Sequence, residues 1–408
     1  MDELTRIFRA ESGKLVASLM CFSQDMQLAE DALQDACEQA STHWPVQGIP
    51  VNCGAWLHLV AKRKLIDKLR QVNGRNEQQK IALIEQAMYC QPEQVSELDY
   101  DVPDERLRLI FTCCHPALNE DAQVALTLKT LCGLTVKEIA RAYLTSEVAM
   151  GQRVTRAKRK IKTAGISYEV PSHAQISARL ASVLKVIYLI YNESYSAYEG
   201  QALTRQDLAQ EAIRLSCLMV ELIPKAEVLG NAALILFHDA RRKSRTTGVA
   251  TYIPLELQDR RLWDTVKIQE ASILLNKAMS LRQPGPYQLQ AAISALHSTA
   301  TTWEETDWYQ IQLLYLRLLD FNDSAVVVLN LLVAMSYSGE LEKAYQELVL
   351  LEPKLNDYQP YYAARSDIES RMQLTAAATL SLEKAIKLSK NGSERDFLIR
   401  KRAVNLKS

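Results

Sequence analysis

Apolar residues recur at intervals of three and four along nearly all of the 408-residue chain, which is the spacing of amphipathic α-helices. The first predicted helix covers residues 4–22, and the second covers residues 28–44, where Pro45 is expected to end it. A third predicted helix covers residues 55–71. The inward positions of the second and third helices are Ala29, Ala32, Leu33, Ala36, Cys37, Ala40 and Trp44, then Leu57, Ala61, Leu65 and Leu69.

Residues 134–162 (LTVKEIARAYLTSEVAMGQRVTRAKRKIK) combine two short helical patterns with a turn between them. Thr135 and Glu138 form a capping box, so a helix is expected to begin there. Residues 144–145 make the turn, and Ser146 is placed to cap a second helix. The apolar stripe of that second helix comprises Val148, Gly151, Val154, Ala157 and Ile161. The pattern predicts a helix-turn-helix.

The opposite face of the second helix is polar and basic. Long hydrogen-bond donors on a helix that packs on a partner helix suit the major groove of DNA, where they reach base edges and phosphates. The alternative is an amphipathic helical hairpin whose basic face is simply solvated. The residues on this face are Gln152, Arg153, Arg156, Arg159, Lys160 and, one turn later, Lys162.

The rest of the chain is also predicted to be helical. Residues 75–103 lose the periodicity and are interpreted as a linker, and Asn119 is expected to cap a helix over residues 120–132. After residue 166 helices follow one another, and residues 330–353 approximate a tetratricopeptide repeat, in which helical hairpins stack because one hairpin cannot bury its own face. The predicted fold class is all-α, with domains at residues 1–74, 104–165 and 166–408.

Charge divides the N-terminal part into surfaces of opposite sign, although the net charge is zero. The outer face of the second helix is acidic, the third helix is basic, and residues 137–162 are basic again. Two kinds of partner are therefore expected. The acidic face comprises Asp31, Gln34, Asp35 and Glu38. The third helix carries Trp56, Lys62, Arg63, Lys64, Lys68 and Arg70.

Several classes of function receive no support from the sequence. An apolar run of about 18 residues would be needed to span a membrane, and none is present; with no signal segment at the N-terminus, a cytoplasmic location is expected. The eight cysteines include no C-x-x-C pair, and Cys113-Cys114-His115 has no second ligand pair at zinc spacing, so neither a metal nor a cofactor is expected. Without a phosphate loop or a nucleophile–base pair, an enzyme is not expected.

Three segments in this order resemble bacterial RNA polymerase sigma factors of the extracytoplasmic-function type: residues 29–44 (AEDALQDACEQASTHW), residues 55–71 (AWLHLVAKRKLIDKLRQ) and residues 134–162. Residues 109–135, 192–219, 237–245 and 257–264 resemble the subgroup that carries a tetratricopeptide-like C-terminal extension. Residues 393–402 (SERDFLIRKR) are similar to the segment at which its members end. The sequence departs from the subgroup at Glu193-Ser194-Tyr195-Ser196, where Glu-Gly-Tyr-Ser is usual.

The resemblance implies a role for each segment. Asp31, Gln34, Asp35 and Glu38 would dock on the clamp helices of the largest subunit of core RNA polymerase. Trp56, Lys62, Arg63, Lys64, Lys68 and Arg70 would engage the melted −10 element. Gln152, Arg153 and Arg156 would read the double-stranded −35 element, with Arg159, Lys160 and Lys162 on phosphates, while the same domain contacts the polymerase flap. The extension would regulate or support initiation, through a possible protein partner.

Two other functions stay open from the residues alone. A ligand-responsive transcription regulator would bind DNA without polymerase and would give no role to the acidic helix. A helical-repeat adaptor without any nucleic-acid role would leave two basic helices unexplained.

Overall fold

The computed structural model describes residues 3–72, 103–143, 145–171, 173–196, 202–245, 252–389 and 392–405. These residues are almost entirely helical, and the all-α prediction is confirmed. The chain divides into two compact units, Met1–Glu193 and Ser194–Ser408. Within the described ranges, no helix combines the length and the apolarity needed to cross a bilayer. Apart from Pro103, the predicted linker lies outside the described residues.

The first unit begins with three long helices: α1 (Glu3–Ser23), α2 (Met26–Gln47) and α3 (Cys53–Val72). They pack on one another, and the predicted inward residues of α3 are 0–6% exposed. Asp25 caps α2 by accepting hydrogen bonds from the backbone of Gln27 and Leu28. Such a cap satisfies N–H groups that the first turn of a helix leaves without partners.

The predicted end of α2 before Pro45 is wrong by three residues. Pro45 lies inside the helix, which continues to Gln47 and ends at Gly48. A proline near the C-terminal end removes a single backbone donor, and Gly48 then adopts a φ of 88° while its N–H binds the Trp44 carbonyl. The glycine, with no Cβ to clash, is the residue that stops the helix.

Four helices build the second half of this unit: α4 (Pro103–Cys113), α5 (Glu120–Thr130), α6 (Val136–Ala142) and α7 (Glu147–Thr163). The caps are those that the sequence predicts. The Asn119 side chain accepts from the Ala122 N–H at 2.9 Å, and the Ser146 side chain accepts from the Ala149 N–H at 3.1 Å. The helix-turn-helix is therefore formed by α6 and α7, which pack together over α5.

Helix α1 is enclosed by both halves of the unit. It packs on α2 and α3 and also on α4 and α5. Six consecutive residues, Leu15–Met20, are buried, and six residues of an α-helix cover its full circumference. The two halves therefore share one core helix.

Helix α8 (His173–Ser196) follows the helix-turn-helix and contacts α4 and α5. The Arg179 guanidinium donates to the Phe111 carbonyl at 2.8 Å, and Lys185 pairs with Glu120.

The second unit is a succession of helical hairpins, with α10 contacting both α11 and α12, and later hairpins formed by α14 with α15 and α17 with α18. Tyr361 and Tyr362 are among the largest side chains of its core. Between α10 and α11, residues 241–245 and 252–264 are described and include three 3₁₀ turns. The helices are α9 (Ala202–Leu222), α10 (Ala226–Ala240), α11 (Thr265–Ser280), α12 (Pro286–Thr299), α13 (Trp308–Leu319), α14 (Ala325–Tyr337), α15 (Leu341–Leu350), α16 (Glu352–Leu355), α17 (Gln359–Arg371), α18 (Thr375–Leu388) and α19 (Gly392–Asn405).

Candidate nucleic-acid interface

The helix-turn-helix is fixed by local hydrogen bonds. The Thr135 hydroxyl accepts from the Glu138 N–H at 3.2 Å, and the Glu138 carboxylate accepts from the Thr135 N–H at 2.8 Å, which completes the capping box. Ile139 and Ala140 of α6 are buried, at 0% and 1% exposure. This support orients α7 before any ligand binds.

Helix α7 buries one stripe and exposes the opposite one. Val154, Ala157 and Ile161 are buried as predicted, together with Met150. Val148, which the stripe also included, is 71% exposed; it lies four residues before exposed Gln152 and so on the same face. The predicted reading residues Gln152, Arg156, Arg159 and Lys160 are all exposed.

Two of the residues predicted for the −35 element have protein partners. The Arg153 guanidinium lies 3.6 Å from the Asp121 carboxylate. The Lys162 ammonium, on a side chain 77% exposed, lies 2.7 Å from the Asp25 carboxylate. Both residues lie at the edges of the exposed row of α7. The row is therefore positively charged at its centre, whereas carboxylates neutralise the charge at its edges.

The predicted cations of α3 do not share one face. Lys62 is half-buried, with its ammonium 5.3 Å from the centre of the Phe22 ring, and burial lowers its pKa against the opposing effect of Glu105. Lys68 pairs with Asp35 at 2.9 Å, and Arg70 lies 3.8 Å from Asp67.

Two further predicted cations of α3 point more toward water. Arg63 is exposed and Lys64 is partly exposed. The cationic surface that α3 offers to a partner is therefore smaller than its sequence suggests.

Trp56 is half-buried in an aromatic group rather than extended into water. Its ring meets Trp44 edge-on with centroids 5.4 Å apart, and Trp44 in turn lies 5.8 Å from Phe8. The indole thus helps to hold α3 on α2, while its remaining surface is accessible.

The acidic face of α2 is formed as the spacing predicts. Gln34 and Glu38 are exposed and joined by a hydrogen bond of 3.1 Å. Asp31 accepts from the Gln27 side chain at 2.7 Å, and Asp35 is the partner of Lys68. Sequence reasoning did not anticipate that Asp35 and Lys68, assigned to different partners, bind each other.

A set of contacts between α2 and α7 was also missed. Glu30 pairs with Lys158 at 2.7 Å, and both side chains are nearly buried, at 13% and 12% exposure. Lys158 also donates to the Gln27 side chain, and the Thr130 hydroxyl donates to Glu30. Lys158 lies between the buried apolar stripe and the exposed basic row of α7. The spacing of apolar residues along the helix therefore did not predict a protein partner for it.

Neighbouring groups lower the pKa values of two carboxyl groups where the two halves of this unit meet. Burial alone would raise the pKa of Asp25, but hydrogen bonds from Lys162 and from the backbone of α2 hold it below the ordinary value. Burial likewise opposes ionisation of Glu138, yet hydrogen bonds from Thr135 and the charge of Arg9 hold its pKa low. Both carboxylates are therefore ionised at neutral pH.

The cysteines and histidines do not form a metal centre in the part of the chain that the structure describes, where no group of three His, Cys, Asp or Glu side chains converges. Cys113 and Cys114 are buried at 0% and 1% exposure. Burial raises the pKa of the Cys114 thiol to about 12. Both thiols thus behave as small apolar side chains.

Comparison with known proteins assigns the helix-turn-helix. Residues 108–161 match the sigma-70 region 4 family, and residues 179–279 match a family of unknown function. The chain is also 39% identical over 385 residues to an uncharacterized protein of Rhizobium meliloti strain 1021, across 94% of this chain and 91% of the relative. The chain therefore belongs to the same family as the Rhizobium protein, and its helix-turn-helix lies within a segment similar to sigma-70 region 4.

Proposed function

We propose that the protein is an alternative sigma factor of the extracytoplasmic-function type, which binds core RNA polymerase and directs it to specific promoters. The observation that carries the proposal is the exposed row Gln152, Arg156, Arg159 and Lys160 on α7, held by capped helices in a region 4 domain. Long donors at this spacing reach base edges and phosphates of a major groove. Promoter DNA is one partner, and polymerase is the other, in the cytoplasm.

The acidic face of α2 is the surface we assign to polymerase. Gln34 and Glu38 stand exposed beside Asp31 and Asp35, and carboxylates on one helix face form charge-assisted hydrogen bonds with arginine-rich helices such as the polymerase clamp. We assign melted −10 DNA to α3, through Arg63, Lys64 and the accessible part of Trp56. The region 4 domain would also contact the polymerase flap.

The direct test is initiation by purified core polymerase supplemented with this protein. Mapping of transcript start sites after overexpression supplies the templates, and run-off transcription then measures initiation. The expected result is initiation that depends on the protein, at start sites that share one −35/−10 pair. An Arg156→Ala variant should reduce that output at least about tenfold, the value of a good base contact, while Lys354→Ala, at an exposed position of α16, should not.

A result in which core polymerase is never redirected would remove the proposal. DNA binding without any effect on polymerase would then indicate a ligand-responsive regulator. Charge reversal at Glu38, which is exposed, should weaken binding to polymerase, whereas the same reversal at exposed Glu342 on α15 should not. Asp35 is less suitable for this test because its loss would also release Lys68.

We propose that the second unit acts as a tetratricopeptide-like domain that regulates or supports initiation. Its stacked hairpins support this assignment. The test is run-off transcription with a chain that ends at Ser196, the last residue of α8, since α8 packs on the region 4 domain. Unchanged output at every promoter would remove this part of the proposal.

A further inference from the structure

Helix α13 of the second unit carries apolar side chains on its exposed face as well as on its buried face. Ile311 and Leu318 are 1% and 3% exposed and pack toward α12 and α14. On the other side of the helix, Tyr309 is 63% exposed, and Leu313 and Leu316 are each 47% exposed. These three residues follow one another at intervals of four and three positions, so they form one continuous row along the helix.

The row extends to the C-terminal end of α13. Asp320 is exposed there and pairs with Arg317. Phe321 is 45% exposed, with the Arg317 guanidinium 5.8 Å from the centre of its ring. The exposed parts of the four large apolar side chains amount to roughly 400 Å², which is the size of the largest apolar patch on a typical monomer. Patches of this size commonly mark interaction sites. We call Tyr309, Leu313, Leu316 and Asp320 the α13 row.

Helix α11, which also contacts α12, carries a different pattern on its exposed face. Its exposed apolar residues Val266 and Ile273 are seven positions apart. Glu270 and Lys277 are exposed in the same row, so apolar and charged side chains alternate. Charge at alternate positions suits a face that stays in water. The α13 row has no charge before its last residue, and it is therefore the better surface for a protein partner.

The spacing of the α13 row is that of the a and d positions of a coiled coil, at which two helices pack on each other. In an antiparallel pair of α13 helices, Leu313 lies opposite Leu316 of the partner subunit, and Tyr309 lies opposite Asp320 of the partner subunit. Both pairs are centred on the same point of the helix, so one register satisfies them together. The tyrosine hydroxyl can then donate to the facing carboxylate. The row is therefore its own complement about a two-fold axis, as an isologous dimer requires.

Asp320 selects this orientation and this register over the alternatives. A parallel pair would place the two Asp320 carboxylates side by side, where like charges repel. A shift of one heptad would either oppose Asp320 to Leu316 or leave Leu316 without an apolar partner. A single polar residue in a helical seam is a device that fixes register at some cost in stability. The antiparallel pair in which Tyr309 meets Asp320 avoids both penalties.

We propose that two copies of this chain associate through the α13 row, in an antiparallel pair of helices related by a two-fold axis. Arg317 and Phe321 lie at the edge of the interface. The contact buries roughly 1,000 Å² in total, which is the lower end of the range for specific interfaces, so the association is reversible. The inference goes beyond the function proposed above and does not depend on it, because the free protein associates without polymerase or DNA.

Sedimentation equilibrium of the full-length chain tests the association. The average mass should rise from 46.1 kDa toward twice that value as the concentration increases through the micromolar range. Leu313→Asp and Leu316→Arg, each alone, should raise the dissociation constant at least about tenfold, because each places an unpaired charge in a desolvated contact. Ile273→Asp, at a position of α11 that is 67% exposed, is the matched control and should keep the parent constant.

A mixture of the two charged variants tests the pairing itself. In the proposed register, the carboxylate introduced by Leu313→Asp in one copy faces the guanidinium introduced by Leu316→Arg in the other, and two leucines still meet at the symmetry-related position. The mixture should therefore associate, although each variant alone does not. Such rescue cannot come from misfolded chains, and far-ultraviolet circular dichroism of each variant should match that of the parent.

Three results would overturn the proposal. The first is a parent chain that stays monomeric at every concentration. The second is an equal loss of association in the Ile273→Asp control. The third is a mixture of well-folded charged variants that remains monomeric. Run-off transcription is a separate measurement, so failure of the proposed function and failure of this interface can be told apart.

Discussion

At the scale of single residues, we expect the exposed row of α7 to divide between base reading and phosphate binding. Gln152 lies in the second turn of α7, whereas Lys160 lies near its C-terminal end. Residues near the N-terminal end of a recognition helix are those that meet base edges. The two side chains should therefore contribute to DNA binding in different ways.

The expected outcome is a difference in specificity. Gln152→Ala should cost about 1–3 kcal/mol on the preferred −35 sequence and relax the preference at one base pair. Lys160→Ala should weaken binding to all sequences alike and reduce the slope of log K against log salt by about 0.9. Binding titrations of both variants on matched and mutated promoters, at several salt concentrations, make the comparison. Equal effects on all sequences from both variants would argue against base contact by Gln152.

The buried histidine of α3 gives the first unit a dependence on pH. His58 is 8% exposed and hydrogen-bonded to Ser18 at 2.8 Å. Burial, assisted by the charge of Lys62, lowers its pKa to about 3. Between this value and the ordinary value of 6.5 the unfolded chain binds the additional proton. Stability is therefore complete above pH 6.5 and falls as the pH drops toward 3.

The chain ending at Ser196 should lose roughly 1.4 kcal/mol of unfolding free energy per pH unit through His58 in this window. His58→Gln should remove that part of the slope. Urea titrations at pH 7.0 and 5.0, followed by far-ultraviolet circular dichroism, measure it. His43→Gln, which replaces an exposed ring, is the matched control and should keep the parent slope.

The sequence pattern predicted which side chains of α7 are exposed, but it did not predict which residues they bind. The spacing correctly placed Gln152, Arg156, Arg159 and Lys160 at the surface, because which side of a helix is buried follows from its own apolar stripe. Pairs such as Lys158 with Glu30, 128 positions apart, depend on how two halves of the unit meet. No local pattern contains that information.

At the scale of helices, the second unit is held by a buried ion pair. Glu369 of α17 is 0% exposed and binds Arg365 at 2.8 Å. Arg365 also binds Glu352 of α16 at 2.8 Å, and the Ser381 hydroxyl of α18 donates to Glu369 at 2.6 Å. Arg365 therefore joins α17 to α16 through Glu352, and Glu369 joins α17 to α18 through Ser381.

Arg365→Met should destabilise the second unit by about 3–5 kcal/mol, because it leaves Glu369 charged, buried and without its cation. Thermal unfolding of the full chain, followed by differential scanning calorimetry, should show the transition of this unit at a lower temperature. Arg317→Met removes an exposed pair with Asp320 and is expected to change stability by less than about 0.5 kcal/mol. Equal effects would show that the buried pair is not critical.

N-cap residues predicted where helices begin, whereas a helix-breaking proline did not predict where α2 ends. Asn119 and Ser146 begin their helices as predicted, since an N-cap satisfies local donors whatever surrounds it. Pro45 does not end α2, because in the last turn a proline displaces few hydrogen bonds. Val148 was assigned to the buried stripe, but it shares a face with exposed Gln152; Met150 is the buried residue of that turn.

At the scale of the whole molecule, the sequence predicted an all-helical chain but not the union of the N-terminal halves. Hydrophobic periodicity gave the helices, and charge gave surfaces of opposite sign. The sequence predicts separate domains at residues 1–74 and 104–165, and the described parts of both lie within the compact unit Met1–Glu193. Long-range packing at Gly13 and Gly133 joins them, and nothing local in either glycine shows which backbone it will touch.

The first compact unit should fold without the second. The chain ending at Ser196 keeps the enclosed helix α1 and the contacts of α8 with α4 and α5. It should unfold cooperatively in urea with the helical ellipticity expected of its described helices. A chain ending at Gly165, which lacks α8, should be less stable by the loss of those contacts. A non-cooperative transition in the longer chain would show that the second unit is needed for folding.

Helix α1, buried against both halves of the first unit, has a consequence for synthesis on the ribosome. It is synthesised before its partners, and α5, which also packs on it, follows about 110 residues later, or roughly 5 to 20 seconds at ordinary elongation rates. Throughout that interval Leu15, Val16 and Leu19, which end at 0–1% exposure, lack part of their final cover. The nascent chain therefore exposes the apolar surface of α1 for several seconds. The yield of folded protein in cells should depend on chaperones that bind nascent chains near the exit tunnel.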